Sequence, residues 1–225
     1  MRTTTEGWHI SIGDESTLAV FEPATAPLRA TFVFAHGAGA HMADRGMLRL
    51  SEVLRAHGLA VVRFNFLYRS KGRGGPDPMP RLKACMSAVI ARTRKELSPR
   101  TLIIGGRSMG GRTGSILAAD GAACDGLLLF AYPLHPAGKP EKLRDAHLPQ
   151  ITVPVLCFNG TRDALCTRAL MERALTTVTA PWDMHWIEGA DHSFHVLKSS
   201  GRSDDDVMNE VGDVSERWLS ATMAG

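Results

Sequence analysis

The stretch LIIGGRSMGGRTG, residues 102–114, decides how this chain is read. An apolar, strand-like run enters a loop containing Gly105, Gly106, Gly110 and Gly111, with Ser108 in its middle. Such a loop between a strand and a helix can cradle a phosphate on its backbone N–H groups, or it can raise a serine hydroxyl clear of a sheet. From Gly106 to Thr113 the spacing G-x-x-x-x-G-R-T is one residue away from a phosphate-binding loop. Arg112, however, stands where that loop needs a lysine, and a planar guanidinium does not replace a compact ammonium there. The next apolar run, GLLLFAYP (126–133), also ends without an acid to help hold magnesium. Nucleotide binding is therefore set aside, and the stretch is read as G-x-S-x-G, Gly106 to Gly110. The flanking glycines suit a crowded strand-to-helix turn, and Gly111 lets the following helix lie close to the strand.

Working outward, short apolar runs rich in β-branched and aromatic residues recur along the chain. They are TFVFAH (31–36), AVVRFNF (60–66), TLIIGG (101–106), GLLLFAY (126–132), VPVLCFNG (153–160) and WDMHWIEG (182–189). Continuous apolarity over four to six residues predicts strands buried on both faces, as in a parallel sheet. Between them lie segments of helical spacing. Leu48, Leu50, Val53 and Leu54 mark one, Leu82, Met86, Val89, Ile90 and Leu97 the next, and Ile116 and Leu117 a third. Leu170, Leu175 and Val178 mark a fourth, and Val207, Val211, Val214 and Leu219 the last. The alternation predicts an α/β fold over residues 1–225 as one domain, a mostly parallel central sheet with helices on both faces. HISIG and TLAVFEP near the start read as an antiparallel hairpin on one edge.

Open sheets of this kind bind ligands at the C-terminal ends of their strands. The residues just after the apolar runs are therefore the informative ones. Ser108 follows one run, Asp163 follows VPVLCFNG, and His192 follows WDMHWIEG. A serine hydroxyl needs a base to take its proton, and the base needs a third group to fix its tautomer. Ser108, Asp163 and His192 are the candidates for these roles. Asp163 alone also reads as a helix cap, and His185 and His195 are rival bases. Asp183 is a rival acid, but it lies at the start of a strand, on the wrong edge. Acyl transfer further needs donors for a tetrahedral oxyanion. The backbone N–H of Met109 is one candidate and that of Ala38, in HGAG after the first run, the other, with Gly39 as fallback. Tyr68, Met109, Leu134 and Phe194 stand near enough to line a pocket, although each fits ordinary packing better.

Composition excludes several classes. The chain has 225 residues, 44% hydrophobic and 22% charged, with a formal net charge of +3, which is ordinary for a globular protein. The basic clusters at Arg69, Lys71 and Arg73 and at Arg92, Arg94 and Lys95 lack interleaved aromatics, so no nucleic-acid partner is expected. The cysteines at 85, 124, 157 and 166 show neither CxxC spacing nor paired histidines, so neither a metal nor a cofactor is expected. The N-terminal residues have no apolar signal region and no run is long enough to span a membrane, which predicts a cytoplasmic location and no membrane partner.

The stretches FAHGAGA, VVRFNFLYRSKGRGGPDP, GGRSMGGR, LLLFAYPLHPAGKPEKLRDAHLPQITVPVLCFNGTRDAL and GADHSF together resemble small, lidless α/β-hydrolases close to dienelactone-hydrolase-like proteins. Within them they are most similar to the group that includes the hydrolase-like domains of testis-expressed and NSL-complex subunit proteins. The resemblance implies an α/β-hydrolase fold with Ser108 as nucleophile, Asp163 as acid and His192 as base. Dienelactone hydrolases proper use cysteine where this chain has Ser108, which argues against that particular activity. The segment 133–152, where lids usually insert, carries Pro133, Pro136, Pro140 and Pro149 and is too short for a lid domain. The expectation is a serine hydrolase acting on a small-molecule or exposed ester or thioester, with an acyltransferase or a non-catalytic binding module on the same fold as alternatives.

Overall fold

Runs of apolar, branched residues can satisfy their backbone and bury both faces of their side chains only inside a covered sheet, and five of the six do so, while WDMHWI forms an edge strand in which only Ile187 is fully buried. The computed structural model describes residues 3–222. Among these, eight strands form one sheet: β1 (Glu6–Ile12), β2 (Glu15–Glu22), β3 (Ala30–Ala35), β4 (Leu59–Phe64), β5 (Leu102–Arg107), β6 (Gly126–Phe130), β7 (Val155–Gly160) and β8 (Trp182–Ile187). Their order is β1-β2-β4-β3-β5-β6-β7-β8. The hairpin β1–β2 joins β4 antiparallel, and from β4 to β8 every pairing is parallel.

Among the described residues six α-helices accompany the strands: α1 (Arg45–Ala56), α2 (Leu67–Ser70), α3 (Met79–Leu97), α4 (Met109–Ala119), α5 (Arg168–Leu175) and α6 (Asp204–Thr222). Alternate residues along a strand face opposite ways, so the sheet has two cores. Phe32, Phe34, Phe130 and Phe158 pack under Met47, Leu50 and Leu54 of α1 and Val207, Val211 and Leu219 of α6. Val33, Val62, Ile104 and Leu129 pack under Leu82, Met86 and Val89 of α3, Leu117 of α4 and Met171 of α5. Each fully buried Leu or Phe contributes about 2 kcal/mol of transfer free energy. Helix ends are sealed locally. Asp44 accepts the Gly46 N–H at α1, while Ser203 and Asp206 form a reciprocal capping box at α6.

Two details depart from the periodicity. Val178 lies beyond α5, which ends at Leu175 before a threonine pair, and Leu48 of α1 faces solvent. The short α2, whose Leu67 and Tyr68 are buried, has no signal in the spacing.

From β3 the chain crosses to β4 on one side, and from β5 it crosses to β6 on the other. That reversal opens a crevice at the C-terminal ends of β3 and β5. Between β6 and β7 the only helical turn among the described residues is a 3-10 turn at Leu148–Gln150. The rest of this segment is a strap stapled down by Tyr132 Oη to Arg144 O at 2.8 Å, Arg144 N–H to Leu134 O at 2.7 Å and His135 N–H to Leu165 O at 3.0 Å. This is the α/β-hydrolase fold without a lid.

The turn from β5 into α4 is packed backbone against backbone. A Cβ on Gly106, whose φ is +149°, would lie 2.2 Å from Ala35 O, and one on Gly110 would lie 2.5 Å from the same oxygen. Gly110→Ala should therefore cost about 3 kcal/mol in chemical denaturation, because β3 and α4 must separate. Gly74→Ala, at a site with nothing within 4 Å, should leave stability unchanged.

Candidate active site

Ser108 occupies the turn at the N-terminus of α4 with φ +50° and ψ −117°, a region that non-glycine residues seldom adopt. Its N–H donates to Phe130 O at 2.8 Å and its carbonyl accepts from Arg112 N–H at 3.0 Å, which holds the turn. Its hydroxyl lies 3.0 Å from His192 Nε2, and His192 Nδ1 lies 2.8 Å from Asp163 Oδ2. An ionised carboxylate only accepts, so Nδ1 carries the proton and the Nε2 lone pair faces the Ser108 hydroxyl. The Asp163 side chain is fully buried, whereas that of His192 is 29% exposed.

A buried carboxylate needs donors, and Asp163 has three. Besides His192, Leu165 N–H reaches Oδ1 at 2.8 Å and Asn159 Nδ2 reaches Oδ2 at 3.2 Å. Asn159 also accepts Tyr132 N–H and donates to Tyr132 O, both at 3.1 Å. It thereby ties the strap after β6 to the acid after β7. In the sequence this residue stands out only as a polar member of the apolar run VPVLCFNG.

The loop carrying His192 is short and closed by a bridge between Ala190 and Val196. The Asp191 carboxylate accepts from Ser193 N–H at 2.7 Å and His195 N–H at 3.0 Å. Phe194, at φ +63°, plugs into the core edge-on to Phe130. Opposite, the loop after β3 approaches Ser108 through Gly37, where an added Cβ would lie 3.4 Å from Ser108 Cβ. Ala38 follows directly, and Met109, as the first residue of α4, has an N–H without an intrahelical acceptor. Side chains from the end of β4 and the segment after it brace this loop. Arg69 bonds Ala40 O at 2.7 Å and also Gly39 O, Asn65 accepts Met42 N–H at 2.9 Å, and Arg63 reaches Met42 O. His36 is fully buried and bridges the two segments, Nδ1–H to Gly37 O at 2.8 Å and Nε2 accepting Phe66 N–H at 3.1 Å. None of these braces has a signature in the sequence spacing.

The rival residues are engaged elsewhere. His185 pairs with Glu210 at 2.6 Å, His195 pairs with Asp204 at 3.0 Å, and Asp183 lies opposite Leu156 near the start of its strand. Tyr68, Leu134 and Phe194 are buried as packing residues, and of the four pocket candidates only Met109 is partly open. The four cysteines are free thiols, and burial raises the pKa of each. Among the described residues no group of three or more His, Cys, Asp or Glu could hold a metal, and no helix is long and apolar enough to cross a membrane. A cleft of about 1160 Å³ opens beside Thr31, Ala60 and Thr101, at the opposite edge of the sheet from Ser108. Size alone therefore does not mark the site.

The family profile described as "Alpha/beta hydrolase domain" matches residues 28–220. The chain belongs to the α/β hydrolase family. Solved structures similar to this α/β hydrolase include an alpha-beta serine hydrolase homologue from Coxiella burnetii, with 20% identity over 96% of this chain and 98% of that one at a TM-score of 0.76. A dienelactone hydrolase from Anabaena variabilis shares 18% identity over 99% and 100%, TM-score 0.75. A serine hydrolase without a lid from Xanthomonas campestris shares 21% over 97% of each chain, TM-score 0.75. At these identities the likeness is one of fold.

This α/β hydrolase carries an acid-sensitive brace beside Ser108. Burial is the main reason that the pKa of His36 is lowered to about 4. His36 is thus neutral when folded, while in the unfolded chain it titrates near the ordinary ~6.5. The unfolded state binds the extra proton as pH falls below 6.5, so the stability His36 contributes is lost progressively between pH 6.5 and 4. Urea denaturation should show roughly 2 kcal/mol less stability at pH 5 than at pH 7 from this residue alone. His36→Asn, which removes the titrating group, should flatten that dependence.

Proposed function

We propose that this protein is a serine hydrolase that cleaves a small or exposed carboxylic ester or thioester through an acyl-enzyme. The observation that carries the reading is the unbroken row of hydrogen bonds from buried Asp163 through His192 to Ser108 on its strained turn. Ser108 Oγ attacks the substrate carbonyl while His192 Nε2 takes the hydroxyl proton. The imidazolium so formed is stabilised through Nδ1–H by Asp163, and its proton then goes to the departing alcohol or thiol. A water molecule, deprotonated by His192, attacks the acyl-serine, and His192 returns that proton to Ser108 Oγ as the acid is released. The N–H groups of Met109 and Ala38 stabilise the oxyanion in both steps.

The stapled strap after β6 supports the substrate class. It leaves Ser108 and His192 half-buried at the rim with no lid domain above them. A small ester, or an acyl group presented on a larger carrier, reaches such a site without a hydrophobic tunnel. The proposal takes residues 1–225 as one catalytic domain that acts on a small molecule, with neither nucleic acid nor a membrane as partner. The four free thiols support a cytoplasmic setting.

A fluorophosphonate probe should label the wild-type protein at Ser108, located by peptide mass spectrometry. Ser108→Ala should abolish labelling and lower the hydrolysis of p-nitrophenyl acetate by roughly 10⁴- to 10⁶-fold. Folded wild-type protein that fails to label would instead favour a non-catalytic binding module.

A further inference from the structure

Arg107 is the one residue of G-R-S-M-G that neither the turn nor the proposed chemistry uses. It ends β5 immediately before Ser108, and its side chain turns toward the face of the sheet covered by α1 and α6. There it lines a cavity of about 60 Å³ with Gly46 and Leu50 of α1, Met208 of α6, and Ser193 and Phe194 of the histidine loop. Its Nη2 donates to the main-chain carbonyl of His192 at 3.2 Å. Its Nη1 fills the space above Gly46, where an added Cβ would lie only 2.7 Å away. One planar guanidinium therefore spans from the first turn of α1 to the peptide group of His192.

We propose that Arg107 is a positioning residue that keeps the His192 imidazole aimed at Ser108 by gripping the histidine's own carbonyl from the first turn of α1. The inference rests on the serine-hydrolase reading above. Asp163 holds the imidazole at one atom, which leaves it free to swing about that hydrogen bond. A second grip on the same residue's peptide group removes that freedom. Misplacing a general base by about 1 Å costs on the order of 100-fold in rate. Burial disfavours the Arg107 charge, and the carboxylates of Asp44, Asp191 and Asp163 offset part of that cost. The groups around the guanidinium come from α1, α6 and the histidine loop, so the charge is used within the protein and not on an acidic substrate. Gly46 has a matching role, since its missing side chain is the room the guanidinium occupies.

The test uses the full chain with Arg107→Gln, Arg107→Lys and Gly46→Ala. It measures kcat and KM for p-nitrophenyl acetate and an anionic hemisuccinate ester, active-site titration by fluorophosphonate, and Tm. Arg107→Gln should lower kcat per titrated site and the labelling rate by roughly 10- to 100-fold, with KM for both esters within twofold. Arg107→Lys should recover part of the loss, because a single donor still reaches the carbonyl. Gly46→Ala places a better helix former in α1, so it should melt no lower than wild type, yet lose several-fold in kcat. The inference is overturned if Arg107→Gln keeps kcat and labelling within twofold of wild type. It is also overturned if the variant raises only KM for the anionic ester, which makes Arg107 a substrate-binding residue. Should Arg107→Gln fail to fold, an unchanged kcat in Gly46→Ala overturns it. Absence of labelling in the wild type strikes the hydrolase reading itself and this inference with it.

Discussion

The first turn of α4 lies directly on the end of β3, main chain against main chain, and the rest of the site depends on that contact. Gly106 and Gly110 both face Ala35 O at distances no side chain tolerates. Because the helix starts so close to the strand, the residue between them has no relaxed conformation available. Ser108 is held at positive φ, with its hydroxyl outside the sheet. Because β3 is the strand touched, the loop leaving it comes past Ser108 as well, through Gly37. One steric constraint thus brings together a nucleophile candidate and the loop carrying Ala38.

Around that contact the protein uses buried and half-buried polar groups to hold backbone. His36, Asn65, Arg63 and Arg69 fasten the loop after β3, Asn159 fastens the strap to Asp163, and Asp191 and Arg107 fasten the histidine loop. Each meets a main-chain N–H or C=O that the irregular loops leave without a sheet or helix partner, or ties that main chain to the acid. The cost of burying these side chains is offset because both sides of each bond would otherwise be unsatisfied. Rigidity at the rim also explains how a fold without a lid can keep an ordered site, since nothing has to close over it.

Much of this was legible in the chain. The buried strands announce themselves because a strand covered on both faces must be apolar throughout, as in TFVFA and GLLLF. Ser108, Asp163 and His192 could be picked out because few residue types suit their roles and each directly follows such a run. The structure brings these three within hydrogen-bond reach of one another. Asn159, His36, Arg69 and Arg107 were not legible. They bond mainly to peptide groups, which every residue carries alike, so no pair of residue types and no spacing records the partnership. Likewise the run LYRS gave no sign of α2, because one turn is too short to show a period.

The sequence by itself determined the layered α/β architecture, the hairpin at its edge, the crowded turn at Gly106 to Gly110 and the three side chains standing at the rim. Those features follow from local chemistry: burial, chain geometry and the shortage of residue types that suit each place. Only the tertiary structure decided which histidine meets Asp163, which face of the sheet Arg107 joins, and which residues lock the loops. Such choices depend on the order of strands in the sheet. Strand order sets which chain segments, tens of residues apart, come within about 3 Å of one another, the reach of a hydrogen bond.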